Sequence, residues 1–333
     1  METKKNIKSI SALTPMQEGM LYHYLENRVS TSYHVQSSIW VEGDLKFENI
    51  KRSLDCLTNR HEALKTSIVI PKSTGKARQI VLKEREIELE DIKRYGESRE
   101  KVEKEIKAAD LKRGFDLQKD SLLRLKVVSF SENNYLFLFS VHHLIIDGWS
   151  LSLVFRDFFH YLGQLEKGKT FKVLMERIEL EKKKYPEYSE YVKWLEKQDK
   201  ESGLAYWKDL LLEYEEPAEI KPLRKLRSTS TDEQVAVVKD SISRENTEAL
   251  SQTILSHQAT LNTMMETVWG LILQAYNDTT DVVFGKVVSG RNAKIDQIEE
   301  TVGLLIHTIP VRVKIESNMT ARRFDERATR SSH

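Results

Sequence analysis

The sequence predicts an α+β fold, because strand-like and helix-like patterns alternate along both halves of the chain. Two observations carry that expectation. "LLRLKVVSF" and "NYLFLFSVHH" are β-rich runs joined by the polar "SENN", the pattern of an antiparallel hairpin. "WSLSLVFRDFFHYLGQL" follows at once, with Leu151, Val154, Phe155, Phe158 and Leu162 on one helical face. At 333 residues the chain has room for about two compact domains of roughly 100 to 200 residues each.

The elements follow in order. "LTPMQEGMLYHYLEN" opens a helix with Thr14 as N-cap, Pro15 at the first helical position and Gln17 at capping-box spacing. "YHVQSSIWVEG" reads as a strand closed by Gly43, and "FENIKRSLDCLTNRHEAL" places Phe47, Ile50, Leu54 and Leu57 at helical spacing. "TSIVI" and "RQIVL" flank "PKSTGKA" as a hairpin. Residues 83–113 are heavily charged with both signs interspersed, which predicts a solvated face or a peripheral helix.

A Lys/Glu-rich stretch at 165–187 marks the expected boundary near residue 170, dividing 1–170 from 171–333. Beyond it, "YSEYVKWLEKQ" and "SGLAYWKDLL" predict aromatic-bearing helices, and "EEPAEIKPLRKLRSTSTDEQ" a surface connection. "EQVAVVKDSI" resembles a strand and "ENTEALSQTILSHQA" a helix. "LNTMMETVWGLILQAYND" predicts a buried apolar helix capped near Asn262 or Thr263, and "DVVFGKVVSGR" and "LIHTIPVRVKI" are β-rich again.

Bulk composition narrows the function classes. Forty per cent hydrophobic residues, 31% charged residues and a net charge of +1 give no electrostatic case for nucleic acid or an acidic membrane. No apolar run approaches a membrane span, and "METKKNIKSISALTPMQ" lacks an apolar signal core, so a cytoplasmic protein is expected. The single cysteine, Cys56, excludes an intramolecular disulfide and a multi-cysteine metal cluster, and reads as a buried structural thiol.

The chemistry concentrates in "FLFSVHHLIIDGWSLSLVF". Strand alternation sends Val141 and His143 one way and Ser140 and His142 the other. Adjacent ligands on opposite faces make a poor metal pair, and no carboxylate or cysteine spacing completes a site, so no metal is expected. Two satisfied core histidines are the plain reading; a strand end before a glycine turn and a helix start favours one working histidine. Gly148 permits a tight turn and offers a backbone N–H as a candidate oxyanion donor. Ser150, just before the apolar helix from Leu151, is expected as its N-cap ahead of an oxyanion role, and Trp149 is expected in the core.

"HHLIIDGWS" fits the HHxxxDG signature, and here the chain resembles the condensation domains of nonribosomal peptide synthetases, within the wider chloramphenicol-acetyltransferase-like acyltransferases. Five further stretches stand in the family's order. "LTPMQEGMLYH" resembles its opening motif, "NRHEALKT" its RHExLRT motif, "YSEYVKW" its YxDFxxW motif, and "VVFGKVVSGRN" and "VGLLIHTIPVRV" its later signatures. The resemblance covers nearly the whole chain. It implies two acetyltransferase-like α/β sandwich lobes set in a V, with the active site in a tunnel between them.

The implied reaction joins an aminoacyl or peptidyl thioester on one carrier protein to the amine of an aminoacyl thioester on the next. Each substrate arrives on a phosphopantetheine arm. The implied partners are therefore upstream and downstream peptidyl carrier proteins and other synthetase modules, with no cofactor bound directly by this chain. On the family's pattern His143 is the catalytic histidine, accepting the proton shed by the amine or orienting that amine. His142 belongs to the surrounding frame. Asp147 is implied to be architectural, paired with Arg60 or Arg291, of which Arg291 is favoured.

Two departures stand out. His307 occupies a place usually held by asparagine, in the region expected to line the tunnel. The family also continues beyond "DERATRSSH" with further elements, so the second lobe is expected to be incomplete. Two other readings follow from these features. One is an epimerisation domain, which shares HHxxxDG; the other is a non-catalytic truncated fragment that at most docks a carrier protein.

Overall fold

The computed structural model describes residues 6–27, 30–71, 75–220, 238–256 and 259–315. By packing, the chain divides into one unit of residues 1–198 with 289–307 and another of residues 199–288 with 308–333.

In the first unit, local chemistry sets the opening elements. After strand β1 (Ile7–Ser11), helix α1 (Pro15–Glu26) starts at a reciprocal cap: Gln17 N donates to Thr14 Oγ1 at 3.3 Å and Thr14 N to Gln17 Oε1 at 2.9 Å. The two bonds satisfy donors that a helix start otherwise leaves without partners. Strand β2 (His34–Glu42) ends at Gly43, whose φ of +143° suits glycine. Helix α2 (Phe47–Arg60) buries Ile50, Leu54 and Leu57, while Phe47 stays exposed at its first turn. Strands β3 (Thr66–Val69) and β4 (Arg78–Leu82) pair antiparallel, and β4 also pairs with β1.

The larger sheet combines β2 with β5 (Glu88–Lys93), β6 (Leu123–Ser131) and β7 (Asn134–His142) in the order β2-β7-β6-β5. Strands β6 and β7 form the hairpin expected from "SENN". Strand β5 runs parallel to β6 at the sheet edge, so the charged stretch at 83–113 supplies an edge strand as well as helix α3 (Arg99–Arg113). Charges along an exposed edge discourage pairing with other chains, which reconciles that composition with a strand.

The side-chain alternation of β7 separates two cores. Leu136 and Leu138 pack with Val128, Phe130 and the α3 residues Val102 and Ile106. Phe137, Phe139 and Val141 join the main core with Val154, Phe158 and Leu162 of helix α4 (Gly148–Glu166). Helix α5 (Phe171–Glu181), drawn from the Lys/Glu-rich stretch, buries Leu174 and Ile178 and packs on α2. Helix α6 (Tyr188–Glu196) and residues 289–307 complete this unit.

The second unit holds α7 (Lys200–Leu210), α8 (Arg244–Ser256), α9 (Leu261–Asn277) and a two-stranded sheet of β8 (Asp281–Ser289) and β9 (Ile306–Lys314), whose ends reach into the first unit's residue range. Its core is small: Leu273, Val282, Val311 and Val313. Gly270 sits so close to β9 that a Cβ there would lie 2.7 Å from Val313. The cap of α9 is Thr260, whose Oγ1 accepts from Thr263 N at 3.1 Å, two or three residues before the expected Asn262 or Thr263.

Helix α9 also departs from the expected burial. Its buried residues are Thr263, Gly270, Leu273 and Gln274, whereas Met265 and Trp269 are 54% and 41% exposed. Apolar residues all round the helix suggested burial, but the small core covers one face only. Residues 238–242 of the expected "EQVAVVKDSI" strand form no strand; residues 221–237 lie outside the described residues.

Candidate active site

The histidine pair stands where β7 gives way to a short 3-10 turn, His143–Ile145. His142 is buried opposite His34 of β2, and its Nδ1 accepts from Leu144 N at 3.2 Å. That bond places the ring proton of the neutral form on Nε2. Burial, then the neighbouring His34 and His143, push its pKa down to about 3. His143 differs. Its backbone N donates to Tyr33 O at 2.8 Å, but its partly exposed ring makes no hydrogen bond to a described residue, and Nδ1 is without a partner.

Two distant stretches, at Arg291 and at Gly303–Leu305, lock the segment that follows. Asp147, 1% exposed, is the N-cap of α4 and accepts from Ser150 N at 2.8 Å. Arg291 grips its carboxylate with both terminal nitrogens, at 2.9 and 3.2 Å, and Leu305 N donates to it at 3.0 Å. The Ser150 hydroxyl donates to Gly303 O at 2.8 Å and accepts from Arg291 Nη2 at 2.7 Å and Gly303 N at 3.1 Å. Burial alone would raise the pKa of Asp147; Arg291 and the Ser150 and Leu305 N–H groups hold it below the ordinary carboxylate value. Such a bidentate, fully satisfied carboxylate fixes geometry better than a single contact does.

Several expectations need correction. Ser150 is not the cap, because α4 begins at Gly148 and Asp147 takes that role with the better-placed carboxylate. Gly148 has no left-handed φ, and a Cβ there would meet nothing within 4 Å, so the turn does not depend on glycine's freedom. Trp149 is 56% exposed rather than part of the core; its Nε1 donates to Glu299 O at 3.0 Å. Arg60 stays away from Asp147: it faces Glu181 at 3.8 Å and lies 4.7 Å from the Tyr185 ring centroid.

His307 meets the Tyr191 hydroxyl through Nε2. Burial lowers the pKa of His307 and pushes that of Tyr191 up to about 12. Beside them, a Cβ on Gly290 would come 2.5 Å from Leu305 O and 3.0 Å from His307 Nε2. Tyr188 donates to Leu304 O at 3.0 Å, and its ring fills the space next to Gly303. Tyr188, Tyr191, Gly303 and Leu305 were not singled out individually from the sequence; their only signal was membership of "YSEYVKW" and "VGLLIHTIPVRV".

Gly303→Ala drives a methyl group into the Tyr188 ring. We expect a loss of about 1 to 3 kcal/mol from overpacking, seen as a lower midpoint in urea unfolding, and a smaller loss when Gly303→Ala is made in a Tyr188→Ala background, where the ring it meets is gone. An unchanged midpoint would show that the two segments separate freely.

A family model described as "Condensation domain" matches residues 7–331. The chain belongs to the condensation domain family. This condensation domain is 36% identical over 324 residues to bacitracin synthase 1 of Bacillus licheniformis, covering 96% of the chain and 6% of that protein. It is 35% identical to gramicidin S synthase 2 of Brevibacillus brevis, with 95% and 7% covered. The chain thus spans a small fraction of the curated relatives it matches.

Among solved structures, the first condensation domain of the CDA synthetase aligns with a TM-score of 0.70 at 18% identity, covering 98% of this chain and 75% of that one. The X-domain in its complex with OxyB from teicoplanin biosynthesis aligns at 0.79 and 17% identity, covering 96% and 69%. These likenesses show a shared mixed α/β fold. No helix among the described residues of this condensation domain is long and apolar enough to cross a membrane.

Proposed function

We propose that this condensation domain forms an amide bond between two carrier-bound substrates, with His143 at the reaction. The supporting observation is a partly exposed imidazole with no hydrogen-bond partner among the described residues, four residues before Asp147, whose carboxylate is engaged by Arg291 and by the N–H groups of Ser150 and Leu305. The amine nitrogen of the acceptor attacks the carbonyl carbon of the donor thioester. The C–N bond forms, the C–S bond breaks, and the amine's proton passes to His143 and on to the departing thiolate. A neutral imidazole suits that transfer near neutral pH.

A thioester is already activated toward amines, so positioning of the two tethered reactants can supply about 7 to 11 kcal/mol in favourable cases. In this reading His142, Asp147 and Arg291 are positioning residues. Ser150 is fully engaged by Gly303 and Arg291, which leaves the exposed Gly148 as the oxyanion candidate. Upstream and downstream carrier proteins with their phosphopantetheine arms, other synthetase modules and a cytoplasmic setting belong to the same proposal.

A second reading, a docking module without catalysis, is favoured by the likeness to the X-domain solved with OxyB. Incubation with two loaded carrier proteins, followed by mass analysis of the carrier-bound products, separates these readings. We expect an amide on the acceptor carrier. Carrier binding with no product supports docking alone, and an inverted stereocentre supports epimerisation.

A further inference from the structure

A cavity of about 230 Å³ opens in the first unit, beside α1, the end of α3 and the start of β2. Its walls include Tyr24, Tyr33, His34, Phe115 and His142, with Lys112 at the last turn of α3. The rings enclose one another: His34 and Phe115 centroids are 4.8 Å apart, and His142 lies 6.0 Å from both Phe115 and Tyr24. His143 is not among the lining residues. The cavity therefore meets the member of the pair that the proposed chemistry does not consume.

The wall chemistry defines what would fit. Because His142 Nδ1 accepts from Leu144 N, its Nε2 carries a proton, and that donor has no partner among the described residues. His34 gives its Nε2 to Asp110, whose charge is already answered by Arg124 at 2.7 Å. The carboxylate behind the wall thus offers no pull on a cation. Lys112 makes no ion pair among the described residues, whereas its neighbour Arg113 is engaged by Glu88. A ring-lined space, one neutral N–H donor and one uncommitted ammonium complement an apolar ring bearing an anionic oxygen.

We propose that this cavity binds a small aryl carboxylate, with the ring against Tyr24, Tyr33 and Phe115 and the carboxylate taken by Lys112 and the His142 Nε2–H. The assignment stands independently of amide formation. It is tested on the full 333-residue chain with phenylacetate as probe, by ligand-observed saturation-transfer NMR and by the ¹⁵N resonances of the His142 imidazole.

Phenylacetate is expected to bind and to move the Nε2 resonance. Benzylamine, the same ring with opposite charge, should bind at least roughly tenfold more weakly. Lys112→Glu, and Thr31→Trp in the cavity wall, should each weaken phenylacetate by roughly tenfold or more with thermal unfolding unchanged. Equal binding of benzylamine, undiminished binding to Lys112→Glu, or no phenylacetate binding at millimolar concentration would overturn the proposal; the Lys112 variant keeps the test decisive if Thr31→Trp does not fold.

Discussion

Replacing His143 by alanine is expected to lower amide formation at least about a hundredfold, equivalent to about 2.7 kcal/mol of transition-state stabilisation, with the unfolding transition unmoved. The split between activity and stability follows from the ring's surroundings. His143 is partly exposed, and its imidazole makes no hydrogen bond to a described residue, so truncation orphans no buried partner. The backbone bond from His143 N to Tyr33 O survives the change. His142→Ala should behave differently, because it removes the acceptor for Leu144 N and opens space among Tyr24, Tyr33 and Phe115. The two-carrier assay, run beside thermal unfolding, reads both quantities. Near-normal turnover by His143→Ala would remove this residue from the reaction.

Asp147→Ala has the largest expected effect on stability, about 3 to 5 kcal/mol, because it leaves Arg291 charged, buried and without its carboxylate. The same change orphans the N–H groups of Ser150 and Leu305. Against a total of about 5 to 15 kcal/mol for a typical domain, such a loss threatens the folded state itself. The double variant Asp147→Ala with Arg291→Met should recover part of it, since a buried pair replaced by apolar groups often costs little.

The pH dependence has a defined sign. The folded pKa of Asp147 lies below its ordinary value of 3.8, so the folded state binds fewer protons than the unfolded state in that range. Its contribution is present above 3.8 and disappears as pH falls through the depressed folded value. Urea unfolding at neutral and acid pH should therefore show the difference between wild type and Asp147→Ala shrinking in acid. A difference that holds constant across that range, or no difference at neutral pH, would count against the clamp.

Features whose causes are local were legible in the sequence. The α1 cap could be read because Thr14, Pro15 and Gln17 sit next to one another and serve one another. The β6–β7 hairpin carried its own turn, and the helical face of α4 carried its own period. Strand β5 was not legible, because "ELEDIK" presents only Leu89 and Ile92 to the structure and is defined by its neighbour β6. The cap of α4 was misplaced by three residues because Asp147 and Ser150 both suit that role and only Arg291 and Gly303 distinguish them. The HHxxxDG pair drew attention to His143, but spacing alone said nothing of Leu305 or Gly303, which lie far along the chain. The exposure of α9 was hidden for a related reason: an apolar pattern reports capacity for burial and says nothing of whether a partner is present.

The Asp147 clamp also orders events in time. Asp147 and Arg291 are 144 residues apart, and Asp147 and Leu305 are 158 apart. At about 5 to 20 residues per second, a ribosome delivers the histidine segment some 7 to 30 seconds before the arginine that anchors it. During that interval the nascent chain can form the β6–β7 hairpin from local contacts, yet it carries the aspartate without its cation. Slowed translation between those segments would lengthen the interval in which Asp147 stands without Arg291, and with it the exposure of an unfinished clamp to chaperones and proteases.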